Sequence, residues 1–259
     1  YEIHERLVGS EMCIRDSYVG CAGGLDANMT FGYKAEPTPA GGYTAAKISV
    51  KGLKGGHSGI QIVCQRANAN KVLFRFLNAA PCDVLLASVD GGGLRNAIPR
   101  EAEAVVRTGD AAALRRAVEA LAAALRAEYH VADGHITVTV TETDDGLTPM
   151  DAASTERAIT LLLCAPNGVV EMSMDVPDLV QTSLNLGRLT SDEASLRASF
   201  MIRSSINSQK NAVASRLARL AEALGGQTEL DSDYSAWPYR PESPLRDRVA
   251  EVFYEQYGD

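Results

Sequence analysis

The chain has 259 residues, of which 46% are hydrophobic and 22% are charged, and its formal net charge at pH 7 is −8. This composition is that of a folded protein with enough chain for one or two packed domains. The negative charge argues against a nucleic acid or an anionic membrane as partner, because both attract basic surfaces, and no apolar run reaches the roughly 18–20 residues that cross a bilayer.

The patterns of apolar and polar residues predict a mixture of strands and helices. In chain order they predict a strand at 43–50, a helix at 65–78, strands at 84–89 and 101–107, a helix at 111–129, a strand at 136–143, a helix at 152–163, strands at 180–189 and 194–203, a helix at 208–224, a short strand at 228–231 and a helix from 245. Antiparallel strands with helices on one side of the sheet indicate an α+β fold rather than a doubly wound one. Turn-rich connectors at 37–42 and 237–244 are candidate domain boundaries.

Five cysteines are scattered along the chain, at positions 13, 21, 64, 82 and 164. They form no CxxC pair, and their odd number predicts reduced thiols in a cytosolic protein rather than a disulfide framework. We expect those beyond the first seventeen residues to be small core side chains. His130 and His135, which precede the predicted strand at 136–143, are expected on the surface.

A glycine-rich turn follows the first predicted strand and carries the histidine of greatest interest. The sequence VKGLKGGHSG at 50–59 places four glycines around His57. Glycine permits positive φ and lets a ligand or another chain approach the backbone closely, so His57 is a candidate for chemistry. The alternative is a tight turn in which the imidazole only satisfies backbone carbonyls.

Short motifs continue along the chain after this turn. They are ANANK at 67–71, GGGLRNAIPREA at 91–102, APNGV at 165–169, TSLNLG at 182–187 and IRSSI at 202–206. With the glycine-rich turn, and in this order, they resemble the M20 metallopeptidases, specifically their aminoacyl-histidine (Xaa-His) dipeptidase branch. The likeness extends from about residue 18 to the last residue.

The resemblance implies how the chain is organised. Residues 27–237 would be the lid or dimerisation domain, an antiparallel sheet with helices on one face built from βαββαβ-like units. Residues 18–26 and 238–259 would be remnants of an α/β zinc-peptidase catalytic domain. Residues 1–17 match nothing in the family and look like a translated adapter sequence, so we expect a non-native leader. Without a catalytic domain to pack against, residues 1–26 and the helix after Leu245 are expected to be exposed or disordered.

The resemblance also implies an activity, hydrolysis of Xaa-His dipeptides by a cytoplasmic homodimer that pairs through the lid. In the family two zinc ions activate water, and their His, Asp and Glu ligands come from segments that would precede residue 18 and follow residue 259. An acidic run that carries the general base also precedes residue 18 in the family, and CIRDS at 13–17 stands in its place. We therefore expect this chain by itself to bind no zinc ion and to be inactive.

Three residues match substrate-side positions of the family. The histidine that matches His57 reaches the active site of the other subunit and contacts the scissile carbonyl, where one hydrogen-bond donor is worth roughly 2.7–4 kcal/mol of barrier. The match at Asn96 is a substrate-contacting amide, and the match at Arg203 is a guanidinium that can hold a terminal carboxylate through two hydrogen bonds. The alternatives are an Asx-turn for Asn96 and a rim salt bridge for Arg203, which we expect near the sheet edge. Asn185 is a weaker candidate with a purely structural alternative.

Two other functions are compatible with the residues. A lid-like domain can serve without catalysis, as a dimerisation or amino-acid-binding module. Another M20 hydrolase, such as a carboxypeptidase or a deacylase, would share the lid. The motifs ANANK and LRNAIPREA favour the dipeptidase branch, and the sequence contains neither an H-E-x-x-H motif nor a phosphate-binding loop.

Overall fold

The computed structural model describes residues 20–38, 41–81 and 83–258. The predicted leader at 1–17, with Cys13, lies outside the described residues, as do Tyr18, Val19 and Cys82. Two residues of the predicted connector at 37–42 also lie outside them.

Strands and helices alternate along the described chain much as the sequence predicts. The strands are β1 (Gly23–Gly32), β2 (Thr44–Lys51), β3 (Gly56–His57), β4 (Val84–Gly91), β5 (Ala97–Ile98), β6 (Ala102–Thr108), β7 (Thr137–Glu142), β8 (Gly168–Met172), β9 (Val180–Ser191), β10 (Ser195–Ser204) and β11 (Gln227–Tyr234). The helices are α1 (Ala69–Asn78), α2 (Ala111–Glu128), α3 (His130–Asp133), α4 (Ala152–Cys164), α5 (Asn207–Ala223) and α6 (Pro244–Tyr257).

Nine of the described strands form one sheet. Its order is β11-β1-β10-β9-β4-β6-β2-β7, with β8 paired to β9. Every pairing in this sheet is antiparallel. The remaining strands, β3 and β5, form a separate two-residue ladder. The predicted α+β fold with an antiparallel sheet is therefore confirmed.

The hydrophobic core lies between the helices and one face of the sheet. Alternate residues of several strands enter it, as the two-residue period of a strand predicts; on β2 these are Ala46, Ile48 and Val50. Helix α1 adds Leu73 and Phe76 from its apolar stripe. Burial of one large apolar side chain stabilises the fold by about 1.5–3 kcal/mol, so this layer supplies much of the stability.

Strand β1 corrects the prediction for the start of the chain. Residues 18–26 are expected to be exposed, yet residues 23–27 are buried, because β1 lies between β10 and β11. The prediction is therefore wrong for residues 23–26. The proposed boundary between residues 26 and 27 falls inside β1, and the division of the chain into segments stays a prediction.

Helix α6 fits the expectation for the other end. It begins with Ser243 as N-cap, whose side chain accepts a hydrogen bond from the backbone N–H of Arg246, and none of its residues is buried. Leu245 and Tyr254 are among its exposed apolar side chains. The predicted exposure of the helix after Leu245 is confirmed.

Helix α1 begins later than the sequence predicts. The expected start is near residue 65, but Gln65 has a left-handed backbone with φ of 51°. Asn68 is the N-cap, and its Oδ1 accepts from the backbone N–H groups of Asn70 (3.0 Å) and Lys71 (3.3 Å). The cap fixes the first turn at Ala69, and a 3-10 turn (Ile62–Cys64) fills the preceding residues.

The cysteine prediction is half right. Cys21, Cys64 and Cys164 are free thiols, as predicted, but all three are exposed rather than in the core. Two of them, Cys64 and Cys164, are the last residues of helical segments. His130 and His135 are exposed, as predicted.

Candidate functional site

His57 lies in a loop, residues 54–67, whose backbone is fixed at several points. Gly55 has a φ of 60°, a conformation that residues with a side chain rarely adopt. The His57 backbone N–H donates to Oε1 of Gln61 at 2.8 Å, and the Gln61 N–H donates to the His57 carbonyl at 3.0 Å. The β3–β5 ladder pairs His57 with Ala97. The loop therefore holds His57 in one place.

The imidazole of His57 is a directed hydrogen-bond donor. Its Nδ1 accepts from the backbone N–H groups of Gly59 (3.2 Å) and Ile60 (3.3 Å), so the neutral ring carries its proton on Nε2. Burial lowers the pKa of His57, and the positive charge of Arg203 lowers it further. The ring is therefore neutral at pH 7, and its Nε2–H is available to an oxygen acceptor.

Arg203 lies near the end of β10, on the face of the sheet opposite the core. It follows the core residue Ile202 on a strand that lies between β1 and β9, so it is not at the sheet edge as expected. Its Nη1 donates to the Tyr234 hydroxyl at 3.2 Å. Its buried Nε has no hydrogen-bond partner among the described residues, which also offer it no ion pair. The rim salt-bridge alternative thus lacks a partner in that part of the chain.

Gly59 lies between His57 and Arg203. A methyl group on its Cα would lie 3.1 Å from Cδ and Nε of Arg203 and 3.2 Å from Cε1 of His57. These gaps are tighter than ordinary contacts, so a glycine here lets the imidazole and the guanidinium lie close to the same stretch of backbone. The same proximity explains why Arg203 lowers the pKa of His57.

Asn96 lies beside the His57 loop, just before β5. Its carbonyl accepts a hydrogen bond from the N–H of Ser58 at 2.9 Å, and Ser58 directly follows His57. The Asn96 side chain is exposed and makes no hydrogen bond to a described residue, so the Asx-turn alternative has no contact to support it there. The Asn96 amide is therefore available to a ligand next to the His57 loop.

Asn185 fixes the backbone on both sides of Asn96. Its side chain is fully buried, and its Nδ2 donates to the carbonyls of Arg95 (3.3 Å) and Ala97 (2.8 Å). Arg95 is also anchored by its side chain, because its Nη1 lies 2.5 Å from Oδ2 of the buried Asp26, although without the alignment of a hydrogen bond. These contacts support the structural alternative for Asn185.

Asn185 belongs to a buried amide network that joins three of the sequence motifs. Asn68 Nδ2 donates to Asn185 Oδ1 (3.2 Å), to Asn167 Oδ1 (3.2 Å) and to the Leu186 carbonyl (3.0 Å). Asn167 Oδ1 also accepts from the N–H of Leu186 at 2.8 Å. The motifs ANANK, APNGV and TSLNLG therefore share one structural task, which is to support the turn at 92–99.

Sequence reasoning missed the residues that surround Arg203. Tyr234, at the end of β11, provides the hydroxyl that accepts from Arg203. Lys210 is buried on α5, where it pairs with Asp233 and donates to the Tyr234 carbonyl at 2.8 Å. A lysine in a helix and a tyrosine at a strand end carry no local signal. Only the pairing of β11 with β1, opposite Gly24, brings Tyr234 to the site.

The described side chains do not fit a zinc pair. Within residues 20–38, 41–81 and 83–258, no group of three or more His, Cys, Asp or Glu side chains could hold a metal ion. The site instead consists of hydrogen-bond donors and one positive charge, a set that suits a carbonyl oxygen and a carboxylate.

None of the helices in the described residues is both long enough and apolar enough to span a membrane.

Comparisons with known proteins agree with the fold. Residues 48–133, which include His57 and Asn96, match the family model of the M20 peptidase dimerisation domain. The chain is 35% identical over 240 residues to the cytosol non-specific dipeptidase of Escherichia coli K12, covering 91% of this chain and 49% of that protein. It matches the crystal structure of aminoacylhistidine dipeptidase from Vibrio alginolyticus with a TM-score of 0.89 and 35% identity, over 93% of this chain and 50% of the other.

The chain spans about half the length of the relatives it matches. Both relatives carry the name of a dipeptidase. The resemblance predicted from the motifs is thereby confirmed, as is the fold that it implies. The chain therefore contains the dimerisation domain of the M20 peptidases.

Proposed function

We propose that this chain supplies the substrate-side residues of a dipeptidase, with His57, Asn96 and Arg203 holding a dipeptide. The observation that carries the proposal is that the side chains of His57 and Arg203 both lie close to Gly59, where a Cβ would come within 3.1–3.2 Å of each. It sets a neutral Nε2–H donor beside a guanidinium. A dipeptide has a carbonyl oxygen and a terminal carboxylate a short distance apart, so one molecule can use both groups at once.

Arg203 is the anchor for the carboxylate. Its forked N–H groups match the two oxygens of a carboxylate, and no described acidic residue occupies them. The Nε is buried against Gly59 and has no partner among the described residues, so we expect the carboxylate to be held through the Nη groups. Selection for a free carboxylate at this distance from the peptide bond is what restricts a dipeptidase to short substrates.

His57 acts on the peptide carbonyl. Its Nε2–H donates to the carbonyl oxygen, and this donation strengthens as negative charge develops there. Asn96 offers both a donor and an acceptor to the peptide group. The resemblance also implies a zinc pair, which we assign to none of the described residues. Binding of the carboxylate, the carbonyl and the peptide group is assigned to side chains of this chain. We expect the chain alone to show no dipeptide turnover.

Binding of a dipeptide to the 259-residue chain tests the proposal. The chain is titrated with an aminoacyl-histidine dipeptide and with the same dipeptide as a C-terminal amide, while NMR follows the His57 ring and the Gly59 amide. Arg203→Lys should weaken binding of the free acid by about tenfold, since a point charge replaces a bidentate fork. Arg197→Lys, on the same strand, is the matched control and should change nothing. Equal affinity for acid and amide would contradict the role of Arg203.

The catalytic role of His57 is tested in a complete enzyme that contains this chain. His57→Ala should lower kcat by about 10²–10³, the usual effect of losing one donor to a developing oxyanion. A decrease of less than about fivefold would show that His57 is only structural.

We also propose a cytoplasmic homodimer, as the dimerisation domain and the cytosol dipeptidase relative suggest. Strand β7 ends the sheet order and pairs only with β2 among the described strands, so its outer edge can pair with a second copy. Sedimentation equilibrium should give a dimer, and a monomer at every concentration would contradict the proposal. A dimer that binds no dipeptide would favour the alternative, a non-catalytic dimerisation module.

A further inference from the structure

One buried carboxylate closes the base of the loop that carries His57. Asp133, the last residue of α3, is fully buried. Its Oδ1 accepts from the N–H of Lys54 at 2.8 Å, and its Oδ2 accepts from the N–H of Ala67 at 3.1 Å. Lys54 and Ala67 are the two ends of the loop at 54–67, so a single side chain ties both ends together.

The charge of Asp133 makes this tie strong. Hydrogen bonds to an ionised acceptor are roughly twice as strong as neutral ones, and Asp133 forms no ion pair with another described residue that could compete. The neighbouring backbone is also fixed, because Gly52, with a φ of 82°, packs against the His135 carbonyl. The segment that carries Asp133 is thereby held against the entry of the loop.

Further hydrogen bonds lead from the base of the loop to the ring. Arg66 Nη1 donates to the Gly55 carbonyl at 2.5 Å, which joins the two arms one residue above the base. Gln61 and His57 are joined by two hydrogen bonds nearer the tip. The Gly59 N–H then donates to the ring itself. The closed base therefore acts together with the β3–β5 ladder in setting the place of the imidazole.

We propose that Asp133 is a positioning residue for His57, which keeps the imidazole beside Gly59 and Arg203 by holding the two ends of the loop together. The inference rests on the proposed function only for the reason why the position of His57 matters. Asparagine cannot replace the carboxylate, because its single oxygen serves one N–H and its amide NH₂ would face the other.

The test is Asp133→Asn in the full chain, read out on His57 itself. Amide hydrogens of Gly59 and Ile60 should exchange faster by about tenfold or more, since the loop opens more often. NMR titration should show the pKa of His57 rising toward the usual histidine value, because the ring leaves both its burial and Arg203.

Asp151→Asn is the matched control. Asp151 also accepts a hydrogen bond from a backbone N–H, that of Ser154 at 2.6 Å, but at the start of α4. The control should leave the pKa of His57 unchanged even where it lowers Tm. If Asp133→Asn lowers Tm and also leaves that pKa unchanged, Asp133 is only structural and the proposal is wrong.

Hydrogen exchange in the unmodified chain decides the matter if Asp133→Asn does not fold. The amides of Lys54, Ala67 and Gly59 should then exchange through one common opening. Exchange of Gly59 many-fold faster than that of Lys54 and Ala67 would show that the tip moves while the base is closed, which overturns the proposal. None of these readouts uses a dipeptide, so a failure of the proposed function would be seen separately, as absent dipeptide binding.

Discussion

Different interactions stabilise the structure on the two faces of the sheet. On the helix side, Ile48 and Phe200 are buried among other apolar groups. On the opposite side, Arg203 lies beside Gly59, whose loop is held at its base by Asp133, while Asn185 holds the adjoining turn. Apolar volume can be supplied by several side chains, whereas a buried donor or acceptor must be at one position. The helix side should therefore determine stability, and the loop side should determine where the candidate site residues lie.

The sharpest test of this division uses strand β10, which contributes to both faces. Phe200→Ala removes a fully buried ring and should lower the free energy of unfolding by about 3–5 kcal/mol. Arg203→Ala removes the hydrogen bond to Tyr234 and the packing beside Gly59, but it also removes a buried Nε that has no partner among the described residues, so the net cost should be only about 1 kcal/mol. Urea unfolding with unchanged m-values measures both. Equal losses would contradict the assignment of stability to the helix side.

Asn185→Leu is expected to have the next largest effect. The carbonyls of Arg95 and Ala97 and the Asn68 amide would lose a buried partner, at a cost of about 1–3 kcal/mol. The turn that carries Asn96 should then shift, which would change the chemical shift of the Ser58 amide in NMR spectra.

The control is Asn211→Leu, at an exposed position on α5, where leucine is also a good helix former. It should change neither stability nor the Ser58 amide. A stable Asn185→Leu variant with an unmoved Ser58 amide would show that the network is dispensable for placing Asn96.

The apolar face could be predicted from the sequence because its signals are local. Helix α2 begins after Asp110, a residue type that is preferred as N-cap, and its Oδ1 accepts from the Ala113 N–H at 2.7 Å. Strand β1 escaped prediction because its sequence, GGLDANMTFG, contains three glycines as well as Asp26 and Asn28, all residue types that are depleted in strands. Its strand character comes from partners on β10 and β11, which are distant in the sequence.

The loop face could be predicted only in part. The motifs predict His57, Asn96 and Arg203 as candidates, and the resemblance supplies their roles. The residues that hold them are joined across long stretches of chain, as in the bonds from Asp133 to Ala67 and from Asn185 to Ala97. A buried carboxylate on a four-residue helix has no periodicity that marks it. Such pairs become visible only when the topology of the sheet is known.

Gly59→Ala should alter the site while leaving the fold nearly intact. The added methyl would press on Arg203 and on the His57 ring, and the flexible arginine can yield by a few tenths of an ångström, so stability should change by less than about 1 kcal/mol. The pKa of His57 should rise as the guanidinium moves away, and dipeptide binding should weaken. NMR titration measures both. The control is Gly93→Ala, where a Cβ meets open space, and it should alter neither the pKa of His57 nor dipeptide binding. An unchanged pKa of His57 in Gly59→Ala would show that the positions of the imidazole and the guanidinium do not depend on Gly59.

The smallest expected effect is the pH dependence of stability that His57 contributes. Its pKa in the folded chain is lowered, by burial first and by Arg203 second, so between the folded value and the usual value of about 6.5 the unfolded chain binds more protons. The stabilising contribution of the neutral ring is therefore complete above the unfolded pKa and is lost as pH falls through the folded pKa.

His57→Gln removes this pH-dependent contribution, so the unfolding free energy of the unmodified chain should fall more than that of the variant between pH 8 and pH 5. Arg203→Gln should remove only part of the difference, because burial is the larger cause. If the unmodified chain instead gains stability relative to His57→Gln in acid, His57 faces a negative group, and the oxygen acceptor assigned to its Nε2–H would have to be a carboxylate of this chain rather than a carbonyl of a ligand.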